Sequence, residues 1–409
     1  MKLKAWLLGK NVDKTPLISF PWDIAFVDRL KKLEFNSSRK KVIYIYGKPD
    51  ASTFRYRVYN ICQALESSES WMGTFFFEHE LNLLENSIKN IDAVVFVRTP
   101  WSHAFDSFFQ HVKKYKIPTV FDVDDLVFNI DKIPLILNTL GADKAEPSYS
   151  YWFSYTSRLF MMGKMCDATS GTNELLCEQL RHTFDKPSYV MGNFLNEEQI
   201  EISEKIFAKK TNESKKSSTF TIGYFSGSPS HNNDFKKIAW ELSDLLKKYP
   251  EMHLEVLGYM ELPDSLQNLV RKKQISLMPF VDFRTLQEKI ANVNVNIVPL
   301  LNNEFSNCKS ELKFFEAAIV GTITCATPTL SYKNCIHHAK NGFLCEEGQW
   351  YNTIEGIYKN DHSATLVSEA RKYCLEKYSP PQQCQNIEKM LDTITGNINL
   401  ECGDLSPLS

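Results

Sequence analysis

Two lysines and a glutamate stand four and three residues apart in the segment Lys309-Ser-Glu-Leu-Lys-Phe-Phe-Glu316-Ala-Ala-Ile-Val-Gly321-Thr. Positions at that spacing are neighbours on a helical surface, so a helix here brings Lys309, Lys313 and Glu316 to one side. The free N–H groups and positive dipole end of such a helix, joined by two ammonium groups, suit a nucleoside diphosphate. The apolar run Val293-Asn-Val-Asn-Ile-Val-Pro-Leu-Leu301 ahead of it reads as a buried strand, Gly321 as the helix stop, and Ile323-Thr-Cys-Ala326 as the next strand. An ordinary surface helix with solvated lysines has the same spacing.

Other segments carry chemistry of the same kind. In Ser226-Gly-Ser-Pro-Ser-His231-Asn-Asn-Asp-Phe235, Gly227 and Ser228 open a small-residue turn whose N–H groups can cradle phosphate oxygens, and His231 is its one candidate cation. Plain helix capping by Ser230 or Asn233 is the alternative. Phe121-Asp-Val-Asp-Asp-Leu-Val-Phe128 sets Asp122, Asp124 and Asp125 at the end of an apolar strand, where carboxylates need partners. They line a cleft or a polar network, or form an Asp-x-Asp site for a divalent ion. Arg55 and Arg57, in Ser52-Thr-Phe-Arg-Tyr-Arg-Val-Tyr-Asn60, and Arg98, in Val97-Arg-Thr-Pro-Trp101, fall where strands end. Arg55 and Arg98 pair with those aspartates or hold a phosphate on a lipid-linked acceptor.

The run from Lys309 to Thr322, followed by Ala326-Thr-Pro-Thr and by Lys340-Asn-Gly-Phe-Leu344, resembles the donor-binding half of GT-B glycosyltransferases, in particular the large retaining group called family 4. The match of Asp-Val-Asp-Asp-Leu is to the polysaccharide-building members of that group. The resemblance implies that Glu316 holds the ribose hydroxyls and that Lys309 or Lys313 faces the diphosphate, with Ser310 and Glu311 beside them. It implies further that the loop of Gly227, Ser228 and His231 touches the diphosphate. Val281, in Pro279-Phe-Val-Asp282, reaches the base through backbone groups. Asp124 falls where many relatives carry histidine, near the reacting carbon, and would be the general base if the reaction inverted configuration. Arg55, Arg57, Arg98, Asp122 and Asp125 line the acceptor side. The family's first glutamate, eight residues before Glu316, is replaced by Cys308, with Glu304 the nearest carboxylate.

The elements that must position these residues follow from length and pattern. A chain of 409 residues with 43% hydrophobic content can bury two cores, which favours two domains. Strand-like runs alternate with helical patterns, so the expected class is α/β: two doubly wound Rossmann-like domains facing each other across a cleft. The expected division is an N-terminal extension over 1–38, an acceptor domain over 39–200, and a linker over 201–218 containing the lysine-rich stretch 209–218. A donor domain over 219–378 and a tail over 379–409 complete it. The tail turns at Pro380-Pro381 back toward the first domain and frays from Gly396. Helices are expected at about 25–33, 53–66, 81–88, 103–114, 147–164, 172–182, 233–248, 284–291, 309–320, 350–358, 364–377 and 381–394.

Charge and cysteine content narrow the function classes. With 47 basic and 49 acidic residues the net charge is −2, so no global field draws nucleic acid or an acidic membrane, and any anion site is local. Ten scattered cysteines without a Cys-x-x-Cys pair read as reduced, buried thiols, not as a zinc site or disulfide frame. No leader pattern opens the chain and no run reaches the roughly 18 apolar residues of a membrane span. A cytoplasmic enzyme is expected, with room for peripheral membrane contact. The expected reaction moves a sugar from a nucleoside-diphosphate sugar to a hydroxyl of a glycan or glycolipid, without a cofactor or a required divalent metal. A nucleotide-sugar epimerase on the same fold and a non-catalytic glycan-binding descendant are the alternatives. A dehydrogenase is disfavoured because no Gly-x-Gly-x-x-Gly follows a strand.

Overall fold

The computed structural model describes residues 20–142, 145–213, 219–226, 232–258, 260–360 and 363–403. In the first lobe α1 (Phe26–Glu34) precedes β1 (Lys40–Tyr46), and a π-helical turn at Arg55–Tyr59 runs into α2 (Asn60–Ala64). Then come β2 (Trp71–Phe77), a 3-10 segment (Glu78–Asn90), β3 (Ala93–Val97), α3 (His103–Lys114) and β4 (Thr119–Val123). The lobe ends with α4 (Ile133–Leu140), α5 (Glu146–Met165), β5 (Ala168–Gly171), α6 (Glu174–Phe184) and β6 (Ser188–Val190). Its strands run parallel in the order β2-β1-β3-β4-β5-β6. A parallel sheet covered on both faces needs apolar runs, and every residue of β2 is buried.

After α7 (Glu197–Glu213), the second lobe holds β7 (Thr221–Phe225), α8 (Asn232–Lys236), α9 (Ala239–Lys248), β8 (His253–Leu257), α10 (Asp264–Arg271) and β9 (Ile275–Met278). It continues through α11 (Phe283–Ala291), β10 (Val295–Val298), α12 (Glu304–Asn307), α13 (Leu312–Ile319), β11 (Ile323–Ala326), α14 (Leu330–Cys335) and β12 (Phe343–Leu344). The helices α15 (Trp350–Lys359), α16 (Ser363–Tyr378) and α17 (Pro380–Gly403) close the chain. This sheet is also parallel, in the order β12-β11-β10-β7-β8-β9. The strand order reverses between β1 and β3 in one lobe and between β7 and β10 in the other. Such reversals open a crevice at the carboxyl ends of the strands, where ligands enter this class of fold.

Several elements differ from the sequence expectation for identifiable reasons. Helix α7 occupies 197–213, where a linker was expected, because Ile200 and Ile206 pack on the core, Ser203 donates to Gln287 at 3.2 Å, and Lys210 reaches the Gly321 carbonyl at 2.8 Å. The helix expected over 233–248 is broken at 237–238 between α8 and α9; within α8, buried Asp234 accepts from the Leu301 N–H at 2.7 Å. Helix α13 starts at Leu312, not at Lys309. The Lys309 carbonyl that would propagate a helix instead accepts from Asn173 at 3.1 Å and from the Ser331 hydroxyl. The helices α4, α10, α12 and α14 had no counterpart in the expectation, and α17 runs on to Gly403 past the point of expected fraying. Gly321 is a helix stop at φ 68°, and a Cβ there would meet Phe207 at 2.6 Å.

One apolar core runs through both lobes. Trp22, from the segment ahead of α1, is 3% exposed and wedges Phe54 at 6.0 Å and Tyr59 at 5.4 Å of the first lobe against Phe283 at 5.7 Å of the second. Helix α17 returns to the first lobe, where Asp392 accepts from the Trp71 indole at 3.0 Å and from Lys40 at 3.1 Å. The nine cysteines with described surroundings are free and buried. Among the described residues no helix is long and apolar enough to cross a membrane. Removing an aromatic wedge leaves a cavity, so Trp22→Ala should lower the unfolding free energy by about 3–5 kcal/mol in a urea titration. Phe35→Ala, at a 64% exposed position, should change it by less than about 0.5 kcal/mol.

Candidate functional site

The first lobe's polar group forms where its strand order reverses. Arg98 directly follows β3 with φ 44°, a left-handed conformation that costs a residue with a Cβ roughly 1–2 kcal/mol. Its side chain is held on several sides. Nη1 donates to Asp124 Oδ1 at 2.9 Å and Asp125 Oδ2 at 3.4 Å, and Nε donates to the Tyr155 hydroxyl at 3.1 Å. Burial would lower the Arg98 guanidinium, but Asp124, Tyr155 and Asp125 together hold it well above the ordinary arginine value. The other oxygen of Asp124 accepts from Thr53 Oγ1 at 2.7 Å. Lys309 comes from the second lobe to meet Asp125 Oδ1 at 2.9 Å.

Beneath this group lies an ion pair that no ligand reaches. Arg57 is fully buried and meets Asp122 through Nε at 2.9 Å and Nη2 at 2.5 Å. Asp122 also accepts from Ser170 at 2.6 Å, and Arg57 donates to the Met191 carbonyl and to Asn193 at 3.1 Å. The acceptor-side role expected of Arg57 and Asp122 is therefore corrected: both are internal supports. Asp122 and Asp124 are each paired with an arginine of their own, Arg57 and Arg98.

In the second lobe, Lys313 projects from α13 to the end of β7, beside the strand-order reversal. Its Nζ donates to the Phe225 carbonyl at 2.7 Å and lies 5.4 Å from the Tyr224 ring centre. Burial lowers this ammonium to about 8, against weaker opposing effects of Asp234 and Glu316. Among the described residues it has no ion-pair partner within 4.0 Å. Gly227, Ser228 and His231 of the expected phosphate loop lie outside the described residues.

Glu316 sits deeper and faces the other lobe. Only 4% exposed, it accepts from Arg55 Nη2 at 3.1 Å and from the Tyr56 hydroxyl. Arg55 is itself held by Gln199 at 3.1 Å and the Ala51 carbonyl at 2.9 Å, and lies over the Phe283 ring at 4.9 Å. Arg55 thus binds the carboxylate across the cleft, and its expected pairing with the aspartates gives way to Arg98. Lys309 likewise leaves the helical side shared by Lys313 and Glu316.

The other expected donor contacts divide. Ser310 Oγ accepts from Asn193 at 2.9 Å, whereas the Glu311 carboxyl turns into its own lobe to Tyr378 at 2.8 Å. Burial raises the Glu311 carboxyl above the usual range, and the Tyr378 bond opposes that only in part. Val281, in the segment between β9 and α11, is a partly buried neighbour of the core. Cys308 is completely buried, and burial pushes its thiol up to about 12, so it supplies no charge in place of the family's glutamate. Glu304 is held by Lys132 at 2.7 Å. Sequence reasoning missed Tyr56, Thr53, Tyr155 and Asn173. Asn173 caps α6 through the Leu176 N–H at 2.9 Å while its amide crosses to the Asn307 and Lys309 carbonyls, each at 3.1 Å.

HepE of Anabaena, solved with UDP and glucose, superimposes with TM-score 0.60 at 11% identity over 87% of this chain and 100% of that one. The fold is GT-B. Sucrose-phosphate synthase of Thermosynechococcus elongatus gives 0.60 at 11% identity, and a glycosyltransferase of Rickettsia africae gives 0.58 at 13%; each match covers 88% of this chain and 100% of the other. No protein-family model and no curated protein matches the sequence. Asp125 of the first lobe and Lys309 of the second meet at 2.9 Å. A separate cavity of about 330 Å³ lined by His338, Phe343, Asn352 and Thr353 lies at the outer edge of the second sheet and contains none of these residues.

The buried Arg57–Asp122 pair has a testable consequence. Arg57→Met should destabilise the protein by about 3–5 kcal/mol by leaving Asp122 uncompensated, and adding Asp122→Leu should restore most of the loss in chemical denaturation. A double variant as unstable as the single one would show that Arg57 acts otherwise.

Proposed function

We propose that this chain is a glycosyltransferase that moves a sugar from a nucleoside-diphosphate donor, UDP in the first instance, to a hydroxyl of a glycan or glycolipid. The observation that carries the reading is Lys313: a desolvated ammonium at the end of β7, held by one carbonyl, where a GT-B fold receives its ligand. Diphosphate oxygens would give that cation an ion-pair partner, which it has from none of the described residues within 4.0 Å, and would stabilise its charged form. The same contact opposes the charge that grows on the leaving diphosphate as the glycosidic bond breaks.

Glu316 is the ribose-holding group in this reading, and its present partners define what binding requires. The two ribose hydroxyls replace the Tyr56 hydroxyl and Arg55 as donors to the carboxylate, so the lobes part before the donor enters. Lys309 exchanges Asp125 for the diphosphate in the same movement. When the lobes close again, water is excluded and transfer to the acceptor outcompetes hydrolysis. No divalent metal is needed, because Lys309 and Lys313 supply the positive charge.

We assign the reaction as retaining, in keeping with the likeness of the 309–321 segment to family 4. Both oxygens of Asp124 already accept bonds, from Arg98 and from Thr53, which suits a fixed anion that orients the acceptor hydroxyl. Retention requires no general base. HepE bound to UDP and to UDP-glucose, on the same fold, supports testing uridine nucleotides first.

Thermal-shift titration separates these roles: UDP should stabilise the protein in a concentration-dependent way and NAD should not. Lys313→Ala and Glu316→Ala should each weaken UDP by about tenfold or more, whereas Asp124→Ala should leave UDP binding intact and lower transfer. A fully active Asp124→Ala enzyme would remove that residue from the mechanism.

The lysine also sets a pH dependence. Its proton is held in the UDP complex but lost from the free protein above about 8, so affinity present at pH 7 should fall about tenfold by pH 9. Lys313→Arg should flatten that profile. A flat wild-type profile would contradict the assignment.

A further inference from the structure

The aromatic flank of α5 lies outside everything described so far except its contact with Arg98. Residues 148–157 read Ser-Tyr-Ser-Tyr-Trp-Phe-Ser-Tyr-Thr-Ser, ten consecutive side chains that are all aromatic or hydroxyl-bearing and none charged. On the helix, Tyr151 and Tyr155 are one turn apart and stack with rings nearly parallel, at 7° and 6.1 Å. Trp152 meets both edge-on, at 5.8 Å from Tyr151 and 6.0 Å from Tyr155. Tyr151 is 63% exposed, far more than a tyrosine of that size shows when it serves only the core.

The cluster is continuous with the site. The Tyr155 hydroxyl receives Arg98 Nε at 3.1 Å, and the same guanidinium holds Asp124 at 2.9 Å, so the aromatic faces begin two contacts from the residue assigned to the acceptor hydroxyl. Trp101 frames the other side, bonded through its carbonyl to Arg158 Nε at 2.7 Å. We infer that Tyr151, Trp152 and Tyr155 form a platform for the sugar rings of a neutral oligosaccharide acceptor, immediately beyond the hydroxyl that is glycosylated.

The chemistry of the surface selects that occupant. A pyranose ring has an apolar C–H face and a rim of hydroxyls, which matches the exposed Tyr151 ring and its hydroxyl, backed by Trp152 and Tyr155, both partly buried against the core. An anionic membrane surface would call for clustered lysine and arginine, and 145–163 has only Arg158, whose Nε is taken by the Trp101 carbonyl. A folded protein partner would call for a broader apolar area than one helix flank. The inference rests on the glycosyltransferase reading for the word acceptor, but the binding itself does not depend on the donor.

The test uses saturation-transfer NMR of the full chain with maltotetraose, cellotetraose, chitotetraose and mannotetraose, each with and without UDP. At least one tetrasaccharide should bind the wild type in both conditions. Tyr151→Ser, at an exposed position, should weaken it by about five- to tenfold without changing the melting temperature or the UDP shift. Tyr155→Phe, which keeps the ring but loses the hydroxyl that receives Arg98, should retain sugar binding. Wild type that binds none of the four sugars, Tyr151→Ser that binds as wild type does, or wild type that instead floats with phosphatidylcholine vesicles would each overturn the platform. Failure of the donor reading shows separately, as a missing UDP shift with sugar binding intact.

Discussion

A carboxylate cannot stay charged inside a protein without donors around it, and Glu316 draws its donors from the opposite lobe. Arg55 and Tyr56 reach it from the π-helical turn that follows β1, a turn that is itself buried throughout. Everything else about the closed arrangement is compatible with that contact. Trp22 fills the space beside it, Phe315 meets Tyr56 edge-on at 5.9 Å, and α17 ties the second lobe's tail to the first lobe's edge strand. Such inter-lobe bonds are strong because they are desolvated, and for the same reason they are costly to leave half made. A ligand that offers its own donors to Glu316 is therefore a direct competitor of the closed state.

The two arginine–aspartate systems of the first lobe differ in burial. Arg57 and Asp122 are sealed, bidentate and backed by Ser170, Asn193 and a carbonyl. Arg98 and Asp124 lie one layer higher, partly solvated, with side chains 21% and 17% exposed, and with backbone strain stored at Arg98. Strain of that kind persists only where surrounding contacts over-determine it, and it concentrates at sites that bind or react. The lower pair anchors β4 through Asp122; the upper pair stands just beyond the end of that strand.

Much of the fold was legible because parallel strands buried on both faces are continuous apolar runs: the run Val293–Leu301 contains β10, the run Ile323–Ala326 is β11, and both strands are buried at every position. Short helices such as α12 and α14 escaped because their boundaries depend on distant partners, including Asn307, which receives the Leu330 N–H at 2.7 Å. Within the site, the chemistry-bearing residues could be read by type: Lys313, Glu316, Arg98 and Asp124 all lie at carboxyl ends of strands or on α13. Their partners could not. Nothing local in Ser52–Asn60 says that Arg55 crosses to Glu316 while Arg57, two residues on, turns to Asp122; the π-helical turn decides it. Tyr56 lay between the two arginines in view, but its hydroxyl gains meaning only from the opposite lobe.

If a nucleoside diphosphate must displace the first lobe from Glu316, weakening that hold should favour the ligand. The most direct measurement is the dissociation constant of UDP for Tyr56→Phe beside that of the wild type, by calorimetry at pH 7. Loss of one donor to a buried carboxylate in the ligand-free state should tighten UDP by about three- to tenfold. Affinity that is unchanged or weaker would mean that Glu316 is a structural anchor between the lobes and not the group that holds the donor.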